Sequence, residues 1–237
     1  APLVFLHSYC VGRFVIHSTS NDVSRTYLIN VVRDWGLRRR CIIDGMTSRH
    51  FLRLSEPERI LFWSANIWNF SDGLLGPLFA VFASRIGGDI FEISWAWAIY
   101  LAVTGLGMAV VGVMGDRVGH HALSVVGYAF TAVFTFGYLF VQSPFDLFIV
   151  QAGLGLGLAF SNPTWEALYD RYSGKGGNDG YAWGIAGAGG RIAQAVAILI
   201  GAYVVTKFSF DALFIAMGTL AAVAALYQAK ILKYAKR

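Results

Sequence analysis

Gly112-Val113-Met114-Gly115-Asp116-Arg117-Val118-Gly119-His120-His121 is a charged, glycine-rich stretch wedged between two long apolar runs. Trp95 to Val113 before it and Ala122 to Gln142 after it carry no Asp, Glu, Lys or Arg. Apolar runs of that length read as membrane helices. Two spans joined by so short a polar segment are expected to be antiparallel neighbours, because the connection cannot reach further. Gly115 and Gly119 would let the backbone turn tightly. Asp116 and Arg117 would put their charges at a membrane face, since a charge at the centre of a span is costly.

The composition of the whole chain agrees. Of its 237 residues 56% are hydrophobic and 14% charged, against roughly 25% charged in soluble domains; the mean hydropathy is +0.55. Cys10 and Cys41 form no metal pattern, and the five histidines have no metal-ligand spacing. There is no nucleophile elbow, phosphate loop or pair of acids suited to hydrolysis. An enzyme is therefore not expected, nor a cofactor or a nucleic-acid partner.

The opening stretch resembles the loop motif between the second and third helices of the major facilitator superfamily, Gly-x-Leu-Ala-Asp-Arg-x-Gly-Arg-Lys. Gly112, Asp116, Arg117 and Gly119 match it; Met114 and Gly115 are mild replacements; His120 and His121 stand where the family has two permanent cations. The resemblance implies a cytoplasmic loop whose Gly112, Asp116, Arg117 and Gly119 act as a conformational latch. The run Gln151-Ala152-Gly153-Leu154-Gly155-Leu156-Gly157, followed by Pro163 and Trp165, is similar to the family's fourth helix. Proton-coupled members commonly have an Arg early in that helix, where this chain has Val150 and Gln151.

Taken in order, the chain divides at Met46, its first methionine. Residues 1–45, with Arg13, Arg25, Arg33 and Arg38-Arg39-Arg40, are read as a basic leader, either disordered and upstream of the native start or lying on anionic lipid. Residues 46–237 are read as a bundle with spans at about 60–82, 92–113, 122–141, 145–168, 181–205 and 210–228. Glu56-Pro57-Glu58 fits a helix start, with Pro and acids in the first turn. With the N-terminus inside, the inner segments hold Arg49, Arg53, Arg59, Arg117, Arg171, Lys175, Lys230, Lys233, Lys236 and Arg237, and the outer ones only Arg85 and Lys207. The positive-inside rule thus puts both termini in the cytoplasm.

Polar groups within spans need a reason. Asn66, Asn69 and Asp72 share a stripe of the first span, and Gly184, Gly187, Arg191 and Gln194 one of the fifth. At ~1.5 Å per residue, Asp72 lies ~18 Å in from Ile60 and Arg191 ~15 Å in from Tyr181, at similar depth. The two are expected to approach each other or to share a water-filled cavity, as a substrate or proton site or as a fixed ion pair. Gln151, Asn162 and Glu166 fall near one face of the fourth span and could join it. Trp68 is deep enough to touch a flat or apolar substrate, while most other aromatics sit at span ends as interfacial anchors. His120 and His121 are expected in solvent as a pH-sensitive stand-in for the missing cations.

The fold class expected is an all-α membrane protein of six transmembrane helices, one half of a major-facilitator-type fold, in a prokaryotic inner (plasma) membrane. Its expected work is secondary transport of small organic solutes by alternating access, as a homodimer of six-helix units. The alternatives are an N-terminal half needing a second transporter half, and a non-transporting scaffold. The partners are then the lipid bilayer, a small-molecule substrate, and a second copy or partner half. N-terminal sequencing of the native protein is expected to find no peptide from before Met46; such a peptide would make the leader part of the protein.

Overall fold

The computed structural model describes residues 54–173 and 179–235, and of Asp179 and Tyr181 the backbone only. The readings of residues 1–45 and of Met46 lie outside these residues. The described chain is helical: α1 (Glu56–Leu75), α2 (Leu78–Arg85), α3 (Ile90–Val118), α4 (His120–Gly137), α5 (Pro144–Ser173), α6 (Asp179–Lys207) and α7 (Phe210–Gln228). Short 3-10 turns follow α4 at Tyr138–Phe140 and α7 at Ala229–Tyr234.

Local chemistry sets the helix starts. Ser55 caps α1 and Glu58 reaches back to the Ser55 amide; Asp89 and Glu92 do the same for α3. Before α5, Asp146 accepts from the Ser143 amide and hydroxyl at 3.0 and 2.8 Å. Ser209 caps α7 by accepting from the Ala212 amide. Five helices are long and apolar enough to cross a membrane, α3 to α7 with their flanking turns. The expected first span is different. It is divided at Gly76-Pro77, where Gly76 has a φ of 25° and Pro77 stands before α2. Proline has no N–H to continue the α1 ladder, so the chain breaks there.

The opening motif also differs from its reading as a loop. α3 continues through Asp116 and Arg117 to Val118, and Gly119 alone, at φ 103°, joins it to α4. Only glycine enters that region without strain, so a one-residue joint suffices. α3 and α4 touch each other little; both pack along α5 instead, while α1 packs along α6 and α7, and α4 along α7. The expectation of neighbours was right about connection and wrong about packing. Exchanging α1 with α5, α3 with α6 and α4 with α7 leaves this set of pairings unchanged. The bundle thus divides into two triplets, α1 with α3 and α4 and α5 with α6 and α7, related by that exchange.

Small residues make these crossings close. A Cβ on Gly127 of α4 would collide with the Ser161 amide and the Gly157 carbonyl of α5, and one on Gly201 of α6 with the Leu74 carbonyl of α1. Two apolar clusters fill the ends. One joins Phe82, Tyr138, Phe210 and Phe214, with Phe82 and Phe214 ring centroids 4.8 Å apart; the other joins Ile60, Leu61, Leu168, Tyr169 and Ile231. Glu56 ties the start of α1 to the end of the bundle, accepting from the Tyr234 hydroxyl and, at 3.0 Å, from the Lys233 ammonium.

Those two donors, the Tyr234 hydroxyl foremost, hold the Glu56 carboxyl below its ordinary 4.5. A lowered folded value means that the tie stabilises fully above pH 4.5 and is lost as pH falls through the folded value. Melting of the wild type should therefore drop more steeply below pH 4.5 than that of Glu56→Gln, and parallel curves would show that the tie contributes nothing.

Candidate functional site

A cavity of about 120 Å³ opens between α1, α2, α3, α4, α5 and α7. Asp72 and Trp68 enter from α1, Phe79 from α2, Trp97 and Tyr100 from α3, and Gln151 from α5. Thr131 and Thr135 of α4 also face it, with Tyr138 just beyond the helix. The threonine hydroxyls donate back to the Gly127 and Thr131 carbonyls of their own helix. Their polarity is thereby spent within α4, and the free polar groups are those of Asp72, Gln151 and the tyrosines.

Asp72 and Arg191 do not form an ion pair. Gln194 stands between them: its amide donates to Asp72 Oδ2 at 3.2 Å, and its Oε1 accepts from the Arg191 guanidinium at 3.2 Å. Asp72 lines the cavity and stays accessible to solvent, whereas Arg191 is exposed on α6 outside it. Arg191 does not line the cavity, and neither do Asn66, Asn69 and Gln194. Asn66 and Asn69 donate to the Phe62 and Ala65 carbonyls and lie against Gly189 and Gly190 of α6. They are packing residues of the α1–α6 seam. Gly184 and Gly187 have open space beside them, on the same side of α6 as Arg191. Of the α5 residues expected to converge, Gln151 reaches the cavity, whereas Asn162 and Glu166 do not.

His120 and His121 fold back against the bundle, His120 staying partly exposed. His121 is buried, with Nε2 2.9 Å from the Tyr172 hydroxyl. His120 lies over Gly115, its Nε2 3.5 Å from Asp116 and its Nδ1 buried without a partner among the described residues. The one-residue joint at Gly119 folds both rings back onto α3 and α5, which the reading as a charged turn with its histidines in solvent did not anticipate. Of the four motif residues, Asp116 meets His120, Arg117 is exposed, Gly119 makes the joint, and Gly112 has open space beside it.

Sequence reasoning missed a second polar centre. Ser64 of α1 donates to Gln228 Oε1 at 2.6 Å, and Gln228 Nε2 donates to Ser124 of α4 at 2.8 Å, all three fully buried. Trp165 of α5 donates its indole N–H to the Leu61 carbonyl at 3.1 Å. These bonds join α1, α4, α5 and α7 at one end of the bundle. A signal was present: Gln228 is a carboxamide at the foot of an otherwise apolar helix.

Long apolar helices joined by close glycine crossings define a multi-pass integral membrane protein. The description Major Facilitator Superfamily matches residues 61–235. The chain belongs to that family, and the match amounts to about one half of a family member. Among curated proteins none matches it.

Ser64→Ala should lower stability by about 1–3 kcal/mol, because Gln228 Oε1 is left buried without its donor. The double variant Ser64→Ala/Gln228→Leu should regain part of the loss in thermal melts. Additive losses would mean that the two side chains are not coupled.

Proposed function

We propose that this protein is a secondary transporter of small organic solutes, working by alternating access as a homodimer rather than as an enzyme. The observation that carries the reading is the chain Asp72–Gln194–Arg191, which runs from the cavity to the exposed surface of α6. Ionisable groups there are costly against lipid, by at least ~2.5–3.5 kcal/mol each on insertion scales, and belong on water-filled pathways or protein contacts. Family membership supplies the transporter class.

In this reading α1 with α2 is the first of six crossings, both termini are cytoplasmic, and the protein sits in a prokaryotic inner membrane. The described helices provide one wall of a central pathway. A second copy in the same orientation, related by an axis along the membrane normal, would supply the other. The open small-residue side of α6, at Gly184 and Gly187, would let the copies approach and rock. Asp116, Arg117 and Gly119 would act at the cytoplasmic end as the latch, with His120 as the partner of Asp116. A distinct second half would build the same pathway, and the half-length family match favours it as the runner-up.

The full chain in lipid discs at low protein density should have the mass of a dimer. A cysteine introduced beside Asp72 should be labelled from either side of the membrane. A strict monomer overturns the homodimer, and labelling from one side only overturns alternating access.

A further inference from the structure

The cavity's walls carry information about what it can hold. Five aromatic side chains, Trp68, Phe79, Trp97, Tyr100 and Tyr138, surround it. Phe79, Trp97 and Tyr100 form a continuous edge-to-face series, with successive ring centroids 5.5 Å apart and interplanar angles of 68° and 89°. Adjacent rings set at such angles present faces of differing orientation, the arrangement that attracts a cation through ring quadrupoles. The only ionisable acid or base in the lining, tyrosines aside, is Asp72. Arg191 is held outside by Gln194, so no cation of the described chain occupies the cavity.

Gln151, 4% exposed, lines the same cavity and adds a carboxamide to its wall. The cavity, at about 120 Å³, is several times the minimum needed for one water and has room for a compact substituted ammonium head.

We infer that this cavity binds the ammonium head of an organic cation, with Asp72 as counter-charge and the aromatic rings as its walls. The inference rests on the transporter reading and gives its substrate class. An anion would meet the Asp72 carboxylate with no base beside it. A neutral solute without donor groups would strip water from that carboxylate and leave it only the existing Gln194 bond, an uncompensated loss. A cation replaces the lost hydration with an opposite charge. Its remaining substituents would point out of the cavity toward the solvent that reaches Asp72.

The test is equilibrium binding to the full chain in lipid discs, read by tryptophan fluorescence. The probes are hydroxyethyl-trimethylammonium, its neutral tert-butyl isostere and the corresponding tert-butyl carboxylate. The cation should bind about tenfold more tightly than the isostere, with the carboxylate weakest. Asp72→Asn should abolish the preference for the cation and Asp72→Glu should retain it. Trp97→Leu, at a half-exposed site, should weaken the cation about fivefold and leave the fold intact. Equal binding of cation and isostere, preference for the carboxylate, or unchanged cation binding in Asp72→Asn would each overturn the assignment. Because this readout needs no transport, cation preference with one-sided cysteine labelling overturns only the alternating-access reading. Transport without cation preference overturns only the assignment made here.

Discussion

The contact between α1 and α6 is the constraint on which the rest of this structure depends. Gly73 leaves room for Gln194, Gly190 for Asn69, and Gly201 for the Leu74 carbonyl, so the two backbones run against each other with little side chain between them. In lipid, where apolar burial between helices gains little, such approach is what dispersion and close packing require. Two consequences follow from the same seam. It sets Gln194 beside Asp72, and it leaves Arg191 on the side of α6 that faces away from the bundle. The charges are thus separated by an amide rather than neutralised by each other. A direct buried ion pair would be a fixed lock; an amide-bridged pair keeps one carboxylate oxygen free of protein donors.

The break at Gly76-Pro77 belongs to the same logic. A continuous α1 would bury the region after Leu75 in its own ladder. By ending α1 there, the chain turns Phe79 toward the cavity while Phe82 joins the aromatic cluster with Tyr138, Phe210 and Phe214. At the opposite end the Ser64–Gln228–Ser124 bonds and the Trp165–Leu61 bond hold α1 against α4, α5 and α7.

The cavity draws its polarity from residues that look unremarkable in isolation. Gln151 precedes a glycine-rich run and Tyr138 follows a glycine at the end of α4. Each faces the same space only because α4 and α5 cross at Gly127 and Gly157. Asn66 and Asn69 illustrate the converse. They share a helical stripe with Asp72, but a stripe only says that residues face one way. Here it faces α6, and the asparagines are consumed by packing and by carbonyls of their own helix.

The sequence by itself determined the class of the protein, the helices and most of their ends. Apolar run length, the caps at Ser55, Asp89 and Ser209, and the Ser143–Asp146 start are local features that act within a few residues. The loop motif was enough to indicate the family, because its residues are contiguous. Only the tertiary structure decided which helices meet. It made α5, not α3, the neighbour of α4; it turned the expected loop into helix closed by Gly119; and it set Gln194 between Asp72 and Arg191. Pairings of that kind depend on how glycines, rings and amides from distant segments fit one another across the bundle. Hydrophobic periodicity cannot encode them where nearly every face of a helix is apolar.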